Sequence, residues 1–485
     1  MRYAMIYDIN QILGKGVSFP PKDEIKRLDG YRVNALLLDD EAWTALPEYA
    51  NRVKYILSNF AIPDQNVYLF TANYWSDLVS KTQELTYGDP PDITSEGHEE
   101  QIAEIFETTE FIEKAKEGCA DFVALGDWVT KIVEDEKGNK TFINVNPSTW
   151  FPIVALENVK EVKAHVLAWP AHVSEKKYEL NVQIHEKGKY TNRAFVLENY
   201  NPDSYYTDKN TNQQIPIPTY DIGVELTESA VEGFVLGAHP TGYDDFAIIA
   251  SANNPGTRRI CGVSDFDNVT DAIMEYSVRM SLKNIVLDKH SAPKMYGPHL
   301  PGDGTLGNYV EIPTGELAPN YLVWDASMTA VENTINGLKD DIANLSGMGS
   351  LLSSKTFGES QGYDALMIKL APALMRAAGK KVILERHLKK LISLLSAGYG
   401  EKIEEKEIAI SWHDGIPTTE SVRADIAQKH LNTGWSNKRV LMQDYGFTEE
   451  IADEIVEERR METPAFPGFG VNEGDYSGNN DEEAE

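Results

Sequence analysis

A chain of 485 residues is too long for one ordinary hydrophobic core, and at 42% hydrophobic and 25% charged residues it has the composition of a folded protein, which excludes a disordered or fibrous chain. Its 76 acidic residues outnumber 45 basic ones, a net charge of −31 that opposes non-specific attraction to nucleic-acid phosphates or anionic lipid and argues against a conventional nucleic-acid binder. Cys119 and Cys261 are the only cysteines, so neither a disulfide framework nor a thiolate metal site is supported; with no signal-peptide pattern and no run of 18 apolar residues, the expectation is a chain that is neither exported nor membrane-spanning.

Residues 1 to about 118 read as helices, with apolar residues spaced by three and four in WTALPEYANRVKYILSNF and HEEQIAEIFETTEFIEKAKEGCADF. From about 119 the period becomes two, and a hairpin is predicted around Lys137-Gly138-Asn139. Tyr178, Leu180, Val182 and Ile184 alternate with Glu179, Asn181 and Gln183 before the turn EKGK, which predicts a sheet with one buried and one wet face. The polar stretch 201–215 is predicted to be mobile, and NNPGTRR to break regular structure before a helix over 264–289, started by Ser264 and Asp267. On that helix Val269, Ile273, Tyr276, Met280 and Leu287 form a narrow stripe, and at 1.5 Å per residue it would be about 39 Å long.

Five prolines and five glycines restrict 290–325 to short strands such as NYVEI and NYLVW. A second striped helix follows over Ala326–Leu345, carried by Val331, Ile335, Leu338, Ile342 and Leu345. Residues 346–362 form a Gly/Ser loop, and the longest helical pattern starts at Tyr363, with Pro372 and Gly379 as kink points. A strand, EIAISWHD, two or three helices over 418–460 and an acidic tail expected to be disordered complete the chain. The fold class is α+β.

Catalytic motifs are weak. Gly349 to Thr356 resembles a phosphate-binding loop with Ser354 in place of the second glycine, but such a loop follows a buried strand, and here a helix ends at Leu345. His290 and His299 have no metal-ligand spacing, and Asp244-Asp245 and Asp340-Asp341 read as solvated acids. Neither a nucleophile elbow nor a dinucleotide fingerprint occurs, so the chain reads as a non-enzyme without cofactor or metal.

Four stretches, GDWVTKIVEDEKGNKTFINVNPSTWFPI, NNPGTRRICGVSDFDNVTDAIMEYSVRMSLKN, TFGESQGYDALMIKL and LNTGWSNKRVLMQDYGFTEEIADEIVEERR, resemble in order and spacing the portal proteins (head-to-tail connectors) of tailed bacteriophages, over roughly residues 25–460. The resemblance implies an α/β wing (1–255, rejoined by the kinked helix over 363–414), stem helices (256–289 and 326–345), a clip (290–325), a tunnel loop (346–362), a crown (415–465) and an acidic tail (466–485). It implies a virion protein assembled in the host cytoplasm into a homo-oligomer of twelve subunits. Its partners would be double-stranded DNA in the channel, the terminase large subunit, a head-tail adaptor, and the major capsid and scaffold proteins, with no membrane. The tunnel loop would present Gly349, Ser350, Leu351, Leu352, Ser353, Ser354, Lys355, Thr356 and Phe357 to the channel, Lys355 as a weak phosphate contact; Arg279, Lys283 and Lys289 are the candidate channel-facing stem residues. An acidic channel would let DNA slide because it does not hold phosphate. The alternatives are another phage neck or baseplate ring component, or a cytoplasmic enzyme with an undetected site.

Overall fold

A computed structural model describes residues 5–14, 16–58, 68–135, 138–174, 177–207, 212, 214–291, 295–297, 309–311, 320–321, 328–352, 363–413, 420–445 and 449–462. Helices account for 47% and strands for 22% of the described residues, an α+β composition. The chain divides into two compact units, Met1–Gly415 and Ile416–Glu485.

The first unit holds two main sheets. The larger is antiparallel, in the order Ser18–Phe19, Tyr220–Glu225, Lys189–Leu197, Lys177–Glu186, Val162–Ser174 and Trp150–Val154, with Gly237–Pro240 also paired to Lys189–Leu197. Its apolar face, including Phe151, Val166, Leu180, Val182 and Phe195, is covered by Ile12 and by Leu28 and Tyr31 of the helix Ile25–Leu38. The opposite face is not wet as the alternation predicts. Glu179, Asn181 and Gln183 are buried there, because residues 226–246 cross it and Lys131 reaches it: Ser229 donates to Glu179, Lys131 donates to Gln183 at 2.6 Å, Asn192 donates to the Val235 carbonyl at 2.8 Å, and Phe234 meets Trp169 edge-on.

The smaller sheet pairs Asp127–Glu134 with Lys140–Val145, the predicted hairpin, and with Ile248–Ala252. Around it pack the helices Tyr74–Tyr87, Glu99–Thr109, Phe111–Ala124 and Tyr363–Ser396, which build the largest core cluster. The stretch 98–122, whose spacing reads as helical, forms two helices, because Glu110 adopts left-handed φ 53° and the Phe106 and Phe111 rings stack across the break at 4.6 Å. In the stretch 43–60, also of helical spacing, one short helix ends at Ala45 and the next starts at Pro47.

Gly118 lets the helix Phe111–Ala124 lie against Trp128, since a Cβ at 118 would stand 1.9 Å from the indole Nε1. That indole donates to Asn144 at 2.9 Å and stacks on His387 at 3.7 Å, so it has nowhere to retreat. Gly118→Ala is therefore expected to destabilise the first unit by roughly 1–3 kcal/mol through overpacking, lowering its melting temperature in calorimetry. An unchanged melting temperature would mean that helix and sheet separate without strain.

In the second unit the helices Glu420–Asn432, Asn437–Tyr445 and Glu449–Glu462 bury Ala427, Val440 and Ala452. The Trp435 ring stacks on His430 at 4.1 Å, and Arg439 lies over it. Most of 208–213 and the acidic tail lie outside the described residues.

Candidate functional site

The helix Thr270–Ser291 begins at Thr270, not at Ser264. Residues 264–266 are drawn into the body instead: the Ser264 hydroxyl donates to the Ala124 carbonyl at 2.6 Å and accepts from Phe266 N–H. Nor is its buried surface the narrow stripe that the spacing predicts. Met274 is also buried, in the main core, and Val278 and Ile285 are buried because Val53 and Leu57 of the helix Pro47–Ser58 pack along the helix's flank. Two serines inside the helix have a specific task. Ser277 and Ser281 donate to carbonyls one turn back and accept the N–H groups of Ala72 and Phe70, which fixes the chain at 70–72 along the helix.

The helix Met328–Leu345 returns antiparallel to the first, as Lys283 with Glu332 (3.4 Å) and Lys339 over the Tyr276 ring (5.7 Å) require. Among its described side chains only Ile335, Leu338, Ile342 and Ala343 give it a buried or half-buried stripe; the others are largely in solvent. Between the two helices, Met295–Gly297 pairs with Tyr309–Glu311 and Asn320–Tyr321, and most of that insert lies outside the described residues.

Two of the three cations singled out on the hairpin, Arg279 and Lys283, are held by acids. Arg279 bonds Glu275 at 2.8 Å, and Glu275 also receives Arg52 at 2.6 Å. Lys283 reaches Glu332; Lys289 lies in the helix, but its side chain is outside the described residues. Exposed pairs of this kind contribute little to stability, but they reduce the positive charge offered to a phosphate. Gly349–Leu352 forms a 3₁₀ turn, and Leu351 and Leu352 are half-buried against the main core instead of free in a loop. Ser353, Ser354, Lys355, Thr356 and Phe357 lie outside the described residues.

Where the hairpin leaves the body, a buried ionic joint forms. The Asp265 carboxylate is 2.9 Å from Arg376 and 2.8 Å from Lys380, both on the helix Tyr363–Ser396, and accepts from the side chains of Asn253 and Asn254 at 3.0 and 3.1 Å. Lys380 also donates to Asn253 Oδ1 at 2.7 Å. Burial alone would raise the Asp265 carboxyl; Lys380 and Arg376 beside it override that and hold it below the ordinary carboxylate range. Where the hairpin returns, Gly347 sits in the left-handed region at φ 68°, and a Cβ there would be 2.8 Å from Arg376 Nη1. Arg376 therefore touches both ends of the hairpin.

Residue spacing did not single out this joint. Its one signal was Lys380, which falls in register with the apolar Leu370, Ala373, Ala377 and Leu384; a lysine in that register implies a buried counter-charge.

An arrangement of enzymatic type does occur. Ser251 Oγ is 2.9 Å from His387 Nδ1, and Thr130 Oγ1 is 3.1 Å from His387 Nε2. The ring is 1% exposed, stacked on Trp128, and burial pushes its pKa down to about 3. It is thus a neutral core imidazole bridging two hydroxyls, with no substrate access and no orienting carboxylate. A separate cleft of about 380 Å³, bounded by Phe19, Tyr31, Phe151, Pro170, Tyr200 and Pro216, is apolar, and the one guanidinium at its wall, Arg32, bonds Asp29 at 2.9 Å. Among the described residues no group of three or more His, Cys, Asp or Glu side chains is placed to hold a metal ion, and no helix is long and apolar enough to cross a membrane. No family model matches the chain, and no curated protein matches it.

Proposed function

We propose that the chain is the portal subunit of a tailed bacteriophage, one member of a ring at a capsid vertex through which double-stranded DNA is packaged and later ejected. The observation that carries this reading is the joint at Asp265, Gly347 and Arg376, where an antiparallel two-helix hairpin with a small strand insert leaves the α/β body and rejoins it beside the longest helix.

In the ring the hairpin walls the channel, and the insert within 290–325 contacts first the terminase and then the adaptor. The hairpin suits a channel that must not hold its cargo. Its two helices carry four basic and six acidic residues, and Arg279 and Lys283 are already paired with acids. Lys355, just beyond the 3₁₀ turn, supplies a sparse ring of phosphate contacts. Hydrolysis of ATP belongs to the terminase; the portal supplies the channel and the docking surface.

Light scattering and negative-stain imaging of the purified chain test the reading. A ring with a central hole and a mass of about 650 kDa, twelve times 54.2 kDa, is the expected result. A stable dimer or tetramer with a filled centre, unchanged when scaffold protein is added, overturns it.

A further inference from the structure

The helix Tyr363–Ser396 buries one side in the body through Leu370, Ala373, Ala377, Leu384, Leu388 and Leu391. On another side Ile368, Met375 and Val382 are 75%, 76% and 61% exposed. Seven large apolar side chains exceed 60% exposure among the described residues; these three are the only ones that share an element, and they recur every seven residues along it. Seven residues are close to two helical turns, so the three project in nearly one direction at intervals of about 10 Å.

The remaining exposed positions between them are Pro372, Ala378 and Gly379, so no charge interrupts the stripe from 368 to 382. Pro372 has no N–H to donate, which leaves the Ile368 carbonyl on the same stripe without its helical partner. Continuous apolar faces of this kind mark interaction surfaces.

Charge identifies what fits the stripe. Residues 363–396 hold seven basic and two acidic residues, whereas the rest of the chain holds 38 basic and 74 acidic. Four of the seven are paired with acids of this chain, Arg376 and Lys380 with Asp265, Lys389 with Glu385 and Lys390 with Asp245, but Arg386, exposed just past the end of the stripe, makes no ion pair among the described residues. An acidic face of another copy matches that guanidinium beside the stripe; a second copy of the same helix would bring two such cations together.

We infer that Ile368, Met375 and Val382 seat against a different, acidic face of a second copy of this chain, a head-to-tail contact of the kind that closes into a ring. The inference rests on the portal reading and names a contact within that ring. Nucleic acid is the poorer occupant, because the stripe offers phosphate no exposed cation before Arg386.

Two variants of the full chain test it beside the wild type. Met375→Glu/Val382→Glu should leave the circular dichroism unchanged while raising the concentration needed for assembly roughly tenfold or more, with the chain running at its monomer mass of 54.2 kDa. Met375→Cys provides a readout that does not depend on an introduced charge, since Cys119 and Cys261 are both buried. Its thiol should react with maleimide in the monomer and be protected tenfold or more in the assembly. Rings that form equally well from the double Glu variant, or a thiol as reactive in rings as in monomers, overturn the inference and leave the portal reading standing. Protection already in the monomer also overturns it, because a segment of the same chain then covers the stripe. A wild-type chain that makes no ring even with scaffold removes the portal reading itself.

Discussion

Asp265→Asn is expected to destabilise the Met1–Gly415 unit by roughly 3 kcal/mol, the lower end of the range for breaking a buried ion pair. Two cations share this one carboxylate, and the side chain of Lys380 is only 5% exposed. The asparagine keeps the shape and loses the charge. Lys380 can then shed its proton, which limits the loss; Arg376 cannot, but its side chain is 22% exposed and reaches water. Calorimetry at pH 7 reads the effect as a lower first transition. Asp265→Leu/Lys380→Met, which removes the carboxylate together with its more deeply buried partner and leaves Arg376 to solvent, should lose less than the sum of its single substitutions. A shift below about 1 kcal/mol for Asp265→Asn would show that water reaches the joint and that the pair is not a fastening.

Acid should weaken the same unit well above the pH at which carboxylates titrate. Burial pushes His165, His185 and His387 down to about 3, with Lys390 or Lys131 adding to the effect. Their folded pKa lies below the unfolded value, so their neutral form stabilises the fold fully above about pH 6.5, and that contribution fades as pH falls toward 3. At pH 5 each has lost roughly 2 kcal/mol, about 6 kcal/mol together. Asp121, raised to about 6 by burial, works in the opposite direction and returns about 1 kcal/mol; Asp127 and Asp267 are raised as well. His185 separates this effect from general acid unfolding. Neither of its ring nitrogens has a hydrogen-bond partner, and the ring stacks on Tyr190 at 5.4 Å. His185→Phe should be neutral or stabilising at pH 7 and more stable than wild type by roughly 2 kcal/mol at pH 5. Denaturation midpoints at the two pH values that differ equally in both proteins would refute the assignment.

The helix Met328–Leu345 and the hairpin at 127–145 were legible because each has one dominant periodic face and an unambiguous turn. The break at Glu110 was not, because a left-handed glutamate leaves no mark in the residue pattern comparable to glycine. The second face of the large sheet was misread for a different reason. Alternation records which residues are polar; it does not record that residues 226–246 will cross them and provide partners for Glu179 and Asn192. The hairpin helix Thr270–Ser291 was anticipated, but its start was placed six residues too early and its flank was not foreseen, since Val53 and Leu57 come from more than 200 residues upstream. The joint follows the same pattern. Lys380 in its apolar register calls for a counter-charge, but Asn253 and Asp265 are unmarked in the sequence, and only tertiary contact makes the three one group.

The first hairpin helix is fastened at its root by the Asp265–Arg376 joint and along its flank by Val53, Leu57 and residues 70–72 as far as Ile285, so it cannot swing about the joint alone. From Thr270 to Ile285 that fastening runs for about 23 Å. A displacement at the joint therefore carries the helix Pro47–Ser58 and the chain at 70–72 with it, and the hairpin behaves as a strut of the body rather than as a hinged arm.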